Sequence, residues 1–252
     1  MSKNFPARMS KTLLSMCVSF ILSILLLISP AAFAGNAVER GAKHIADDIT
    51  ETFFSWPMFV LLGGGGLAGA VHPLDNDVAG YFKNGSKMGK ADDVAYWAAQ
   101  FYVLDPAALL VYGAGKLVKD REVALTGEVL LESLIFTQAV TGLMKEAAGR
   151  TRPNGGSHSF PSGHASNAFS VATALEVLHG PAYGIPAYAI ASFIAFARID
   201  SNSHYLSDTV MGAAVGSAIG LGVALAHRHR EQRVVFYPLT GDRLGIGAAW
   251  TF

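Results

Sequence analysis

Five long apolar segments, separated by turn-rich stretches, constrain this chain more than any other feature of its sequence. They run roughly over 54–71, 94–118, 123–149, 164–197 and 208–227, and the fourth is broken around Gly180-Pro181. Their length and periodicity read as helices, so the expected fold is all-α, with a core of about six helices. Between the segments, His72-Pro73-Leu74-Asp75-Asn76 and Lys83-Asn84-Gly85-Ser86 read as turns. There is no internal repeat and no low-complexity linker. Residues 35–252 therefore read as one domain, with its helical core over 54–230.

The composition is 51% hydrophobic and 15% charged, against roughly 25% charged in an average soluble protein. A membrane span needs ~20 largely uncharged residues. Thr52–Leu74, Val177–Ala197 and Thr209–Ala226 approach or meet that length; Asp105, Glu128, Glu132 and Glu176 interrupt the other segments. An intramembrane carboxylate is costly unless it faces an interior. The chain thus reads either as a polytopic membrane protein with polar inward faces or as a tightly packed, membrane-associated globule. Formal net charge is zero, and no basic stripe or zinc-finger spacing points to a nucleic acid.

The two ends differ from the core. Lys3, Arg8 and Lys11 precede an apolar run from Leu13 to Ile28, and Ala32-Phe33-Ala34 is an A-x-A cleavage site. Residues 1–34 read as a signal peptide of an exported protein, with an uncleaved anchor as the alternative. Removing the leader also removes Cys17, the one cysteine, so the exported core is expected to stand without disulfides. Residues 37–53 read as an amphipathic helix with Val38, Ala42, Ile45, Ile49 and Phe53 on its apolar face. At the other end, Val234-Val235-Phe236-Tyr237, a turn at Thr240–Arg243 and alternation through Phe252 read as a β-hairpin over 233–252.

Three blocks carry chemistry. Lys145 lies near the end of a helix that Gly149-Arg150-Thr151-Arg152-Pro153 leaves. Its ammonium and the planar fork of Arg152 suit a phosphate dianion, although basic residues at a helix end also offset the dipole. Arg150 is expected to face solvent. In Pro161-Ser162-Gly163-His164, free amides at a helix start and the Ser162 hydroxyl make an anion site, and Gly163 allows close backbone approach. An ordinary Ser162 cap with an exposed His164 is the plain alternative. His158 nearby lies in a Gly/Ser stretch and is passed over. In the third block, Arg198 ends an apolar run, where it needs an anionic partner. His204 and Asp208 are four apart and would share a helix face. A carboxylate there can hold one ring nitrogen protonated and leave the other free as a nucleophile. A surface His–Asp pair is the plain alternative.

Taken in order, Lys-x6-Arg-Pro, Pro-Ser-Gly-His and Arg-x5-His-x3-Asp resemble the signature of the type-2 phosphatidic acid phosphatase and vanadium haloperoxidase superfamily, on its phosphatase branch. Ten positions match: Lys145, Arg152, Pro153, Pro161, Ser162, Gly163, His164, Arg198, His204 and Asp208. The third motif usually begins Ser-Arg, and here it reads Ala197-Arg198. The resemblance implies a six-helix core and a phosphatase that works without metal or cofactor. It also implies roles: His204 as nucleophile, Asp208 as its orienting partner and His164 as acid and base. Lys145, Arg152, Arg198, Ser162 and Gly163 would hold the phosphate. Three cations at one point favour an oxyanion over a metal, and a metal site would want more carboxylates or thiols.

With the apolar helices and the export signal, the expected substrate is a phosphorylated lipid. A small soluble phosphate ester is the alternative. The expected location is the membrane, with the active site on the periplasmic or extracytoplasmic side; a soluble periplasmic form is the alternative. Two other classes compete: a vanadium-dependent haloperoxidase built on the same anion cradle, and a non-catalytic anion-binding membrane protein.

Overall fold

The computed structural model describes residues 35–83 and 87–231, together with the strand backbones 234–239 and 245–250. The leader expected over 1–34 lies outside the described residues. The chain divides into two compact units, residues 1–46 and 47–252. Helix α1 (Gly35–Phe53) begins in the first and ends in the second.

The rest is helical. The six expected long helices are α2 (Pro57–Val71), α5 (Phe101–Val118), α6 (Arg121–Ala148), α7 (Gly163–His179), α8 (Pro181–Asp200) and α9 (Leu206–Glu231). Two short helices differ from the sequence expectation. The stretch 72–76, expected as turn, falls in a 3-10 turn (His72–Leu74) and the start of helix α3 (Asp75–Phe82), because Asp75 and Asp77 favour a helix N-terminus. The segment expected over 94–118 splits at Ala99-Gln100 into α4 (Lys90–Ala98) and α5.

Strands β1 (Val234–Leu239) and β2 (Gly245–Trp250) pair antiparallel, with Val234 opposite Trp250. Their side chains and the turn between them lie outside the described residues. The packing of this hairpin stays an expectation.

Five helical stretches are long and apolar enough to cross a membrane: Pro57–Phe82, Phe101–Val118, Arg121–Ala148, Pro181–Asp200 and Leu206–Arg230. Two of these contain Asp105, Glu128 and Glu132, which interrupt the sequence pattern; the stretches qualify by length and composition, and two of the three carboxylates are paired. Gln138 Nε2 donates to Asp105 at 2.7 Å, and Glu132 lies 2.6 Å from His227 Nε2. Outward, the same helices present Phe59, Leu62, Leu110, Leu143 and Phe193, which suit lipid. The chain is a membrane protein by these features.

The core runs along α9, which packs on α7, α2 and α6. Val129, Leu134, Val215, Ile219 and Val223 fill it. The α7–α9 approach is backbone-close. A Cβ on Gly216 would fall 2.0 Å from the Ser166 carbonyl oxygen, and one on Gly220 2.4 Å from that of Ser170. Small residues at helical spacing permit this contact, as is common between membrane helices. It fixes the N-terminus of α7 against the N-terminus of α9.

Helix α1 turns a polar side inward. Asp48 and Thr52 are buried while Ile45 and Ile49 are exposed. Asp48 finds an ion-pair partner in Arg230, and Phe53 at the end of the helix meets the Phe136 ring edge-on at 5.8 Å.

Candidate active site

Four helix ends and two connections meet at one end of the bundle. Lys145 lies in the last turn of α6, which stops at Gly149 in the left-handed conformation (φ 54°). The chain then makes a loop tied to itself. Arg152 N donates to Gly156 O at 2.7 Å and Ser159 N to Arg150 O at 2.7 Å. Arg152 Nε donates to Ser157 O at 2.9 Å, and Lys145 Nζ to the carbonyl of His158 at 2.8 Å. Both cations are thereby positioned by backbone oxygens, and among the described residues no carboxylate bonds to either.

Ser162 precedes α7 but its side chain makes no cap hydrogen bond. Among the described residues the hydroxyl is buried without a partner, as is Nε2 of His164 two residues on. Buried polar atoms are nearly always paired. Two unpaired ones at a helix N-terminus mark a place for a ligand oxygen. Burial, with Arg198, His204, Arg152 and Lys145 all close by, pushes His164 down to about 3.

Arg198 comes from the last turn of α8 and is buried. Its Nη2 donates to Ser203 Oγ at 2.7 Å, while Nε has no partner. The turn after α8 folds back on it: Ser203 N and His204 N both donate to Arg198 O. The usual Ser before this Arg is Ala197, which packs in an apolar cluster with Ala95, Ala99, Ala168 and Ala172.

His204 lies in that turn, ahead of α9, so it does not share a helix face with Asp208 as the spacing suggested. Its Nδ1 is 2.8 Å from the Ser159 carbonyl and 3.7 Å from Asp208 Oδ2. A carbonyl only accepts, so Nδ1 carries the proton and the lone pair of a neutral ring sits on Nε2. Burial, with Arg152 and Lys145 nearby, outweighs the pull of Asp208 and lowers His204 to about 4.

Asp208 is wholly buried and acts as a hub. It accepts from Ser159 Oγ (2.5 Å), Tyr205 N (2.9 Å) and Arg150 Nη1 (2.7 Å). Its own carbonyl accepts from Ser162 N at 2.9 Å. Asp208 therefore fixes the Ser159 segment whose carbonyl aims His204, and it ties that segment to the start of α7.

Two residues here escaped the sequence reading. Arg150, expected to face solvent, is three-quarters covered and bridges two acids. Besides Asp208 it donates to Asp75 at 2.7 Å, and its guanidinium lies 4.1 Å from the centre of the Tyr205 ring. Asp75 is 2% exposed and accepts from Ser207 N at 2.9 Å and from Ser207 Oγ at 2.5 Å. Asp75 stands in the stretch read as turn, next to Asn76 and Asp77, so its sequence context carried no signal of burial. His158, passed over in the sequence, is half exposed near Glu146 (3.4 Å) and serves Lys145 through its carbonyl.

Comparison with known proteins agrees with this geometry. A model of the PAP2 superfamily matches residues 128–232. A lipid A 1-phosphatase of Porphyromonas gingivalis is 37% identical over 101 residues, covering 37% of this chain and 23% of that protein. One from Rhizobium etli is 27% identical over 121 residues, covering 42% and 52%. The chain thus spans about a quarter to a half of the curated relatives it matches. The crystal structure of Aquifex aeolicus LpxE superposes with a TM-score of 0.50 at 21% identity, over 60% of this chain and 94% of that one, a likeness of fold. All three motifs lie inside the matched stretch, so over residues 128–232 the chain is similar to the PAP2 superfamily.

Proposed function

We propose that this protein is a lipid phosphate phosphatase that works through a phosphohistidine on His204, without metal. The observation that supports it most is the pairing of an aimed, neutral imidazole with a cationic pocket of unpartnered groups. His204 keeps its lone pair on Nε2, while Ser162 Oγ, His164 Nε2 and Arg198 Nε are buried without partners.

In this reading the phosphate sits among Lys145, Arg152, Arg198, Ser162 Oγ and the Gly163 amide. Its two negative charges offset the cations that depress His164, which then takes up a proton. His204 Nε2 attacks phosphorus as the bond to the leaving oxygen breaks, and His164 gives its proton to that oxygen. Water then attacks the phosphohistidine. His164 takes the water proton, the P–N bond breaks, and inorganic phosphate leaves. The fixed cations stabilise the equatorial oxygens as charge develops, without reorganising. Asp208 acts one step back, through Ser159.

The substrate proposal rests on the setting. The site lies at one end of a bundle of apolar helices, and the similar proteins are named lipid A 1-phosphatases. A phosphate carried by lipid A is therefore the first candidate, ahead of phosphatidic acid, phosphatidylglycerophosphate or an isoprenyl diphosphate. The active site is proposed to face the extracytoplasmic side.

The test uses the full chain in detergent with these phosphorylated lipids and with soluble esters, in chelator, beside His204→Ala. Phosphate release that resists chelator, is inhibited by vanadate and is lost in the variant is expected. Activity abolished by chelator and restored by a divalent metal would overturn the metal-free mechanism. Unchanged activity in His204→Ala would overturn the nucleophile.

A further inference from the structure

Helix α4 contributes to this site, although none of the three motifs lies on it. The ring of Tyr96 stands 5.1 Å from the ring of His164, with the planes 32° apart. The guanidinium carbon of Arg198 lies 5.3 Å from the centre of the same Tyr96 ring. One aromatic side chain therefore touches both the proposed acid and one of the phosphate-binding cations.

The helix that carries Tyr96 is anchored, although Tyr96 is itself 38% exposed. Its neighbours Ala95 and Ala99 are buried in the cluster of small residues that includes Ala168, Ala172, Ala191 and Ala197. A larger side chain in that cluster would push α4 outward. At the start of the helix, Asp200 Oδ2 accepts from Lys87 N at 2.9 Å and from Met88 N at 3.0 Å. At its end, Asn167 Nδ2 donates to Ala99 O at 3.3 Å. Trp97 meets the Tyr96 ring edge-on at 5.6 Å.

His164 has no protein hydrogen bond at Nε2 to set its tilt. A general acid must aim its N–H at the leaving oxygen, and a small misdirection is costly in rate. Offset ring contact supplies the missing orientation. The electron-rich face of a tyrosine also attracts a cation, so it favours the imidazolium needed for proton transfer over the neutral ring.

We infer that Tyr96 is a positioning residue, which holds the His164 ring in line with the leaving oxygen through its aromatic face. This rests on the reading of His164 as the acid.

A positioned acid matters most when the leaving oxygen is a poor leaving group. The test compares kcat/KM for an alkyl phosphate and for p-nitrophenyl phosphate, in wild type, Tyr96→Leu, Tyr96→Phe and His164→Ala. Because kcat/KM stops at the first irreversible step, it omits the second role of His164. Tyr96→Leu is expected to lower the alkyl rate by about tenfold more than the nitrophenyl rate, and His164→Ala to do so by ~10² or more. Tyr96→Phe keeps the face and should restore the wild-type ratio. Should Tyr96→Leu fail to fold, Tyr96→Met is read in the same way. Equal losses on both esters, or none, would overturn the inference while His164→Ala still shows its leaving-group dependence. A His164→Ala protein without that dependence would instead overturn the acid assignment, and this inference with it.

Discussion

Two buried clusters of charge lie in this bundle, and they are built on opposite principles. One is the cradle at Lys145, Arg152, Arg198, His164 and His204. The other joins Asp48 on α1, Glu132 on α6, and His227 and Arg230 on α9. Along α6 the two are separated by thirteen residues, about 20 Å of helix. In the second cluster the charges answer one another: Arg230 pairs with Asp48, and His227 lies 2.6 Å from Glu132. The cradle has cations in excess, and buried atoms of Ser162, His164 and Arg198 lack partners. A balanced cluster holds helices together. An unbalanced one is incomplete until an anion arrives.

The sharpest way to break this contrast is to remove the proposed nucleophile. His204→Ala should lower kcat/KM for a phosphorylated lipid by on the order of 10⁴–10⁶, with little change in the melting temperature of the folded protein. His227→Ala should leave the rate per folded molecule close to wild type. If His227→Ala abolished catalysis in a folded protein, the second cluster would be part of the machinery and the contrast would fail. Next in size is Arg198→Ala, which removes one cradle cation. Its expected cost is about 10²–10³ in kcat/KM, with weaker inhibition by vanadate. Because like charges are relieved, the stability of the ligand-free protein should not fall as it does when a paired ion is broken.

Much of this was legible in the sequence, and what was not has a physical reason. The long helices follow from apolar runs, and the cradle residues follow from motif order. The role of Asp208 was half legible. Spacing links it to His204, but the contact runs through the Ser159 carbonyl, because His204 falls in the turn before α9. Arg150 and Asp75 were missed since their partner choice depends on α3 coming alongside α9, some seventy-five residues apart in sequence for that pair. Asp105 and Glu132 read as obstacles to membrane spans, because a carboxylate's partner is invisible until Gln138 and His227 are placed opposite. Tyr96 carries no motif at all; only the docking of α4 through alanines brings it to His164.

The balanced cluster makes a stability prediction. Glu132→Ala removes the partner of a buried histidine and should cost on the order of 1–3 kcal/mol, measured by thermal or denaturant unfolding in detergent, with activity retained in the folded fraction. An unchanged melting temperature would mean that the pair contributes nothing to holding α6 to α9.

The smallest effects are in pH, where the clusters should respond in opposite directions. In the cradle, His204 is lowered to about 4 and His164 to about 3, by burial first and then by neighbouring cations. The unfolded chain, with histidines near 6.5, binds more protons than the folded one below that value. Stability from these two groups is full above about 6.5 and is lost as pH falls through about 4 and then 3. Asp48, by contrast, is raised to about 7 by burial and by Glu132 beside it. Its favourable state is the protonated one, so stability from this group is present at low pH and is lost as pH rises through about 7. Melting curves between pH 4 and 8 separate the two. Asp48→Asn should remove the contribution that falls as pH rises to about 7, so that stability climbs more steeply with pH over this range. Bound vanadate should lessen the acid-side decline and leave the alkaline side alone, because an anion in the cradle favours protonated His164 and has no contact with Asp48. An Asp48→Asn protein whose acid-side decline also vanished would mean that the two clusters titrate as one, and the contrast between them would not hold.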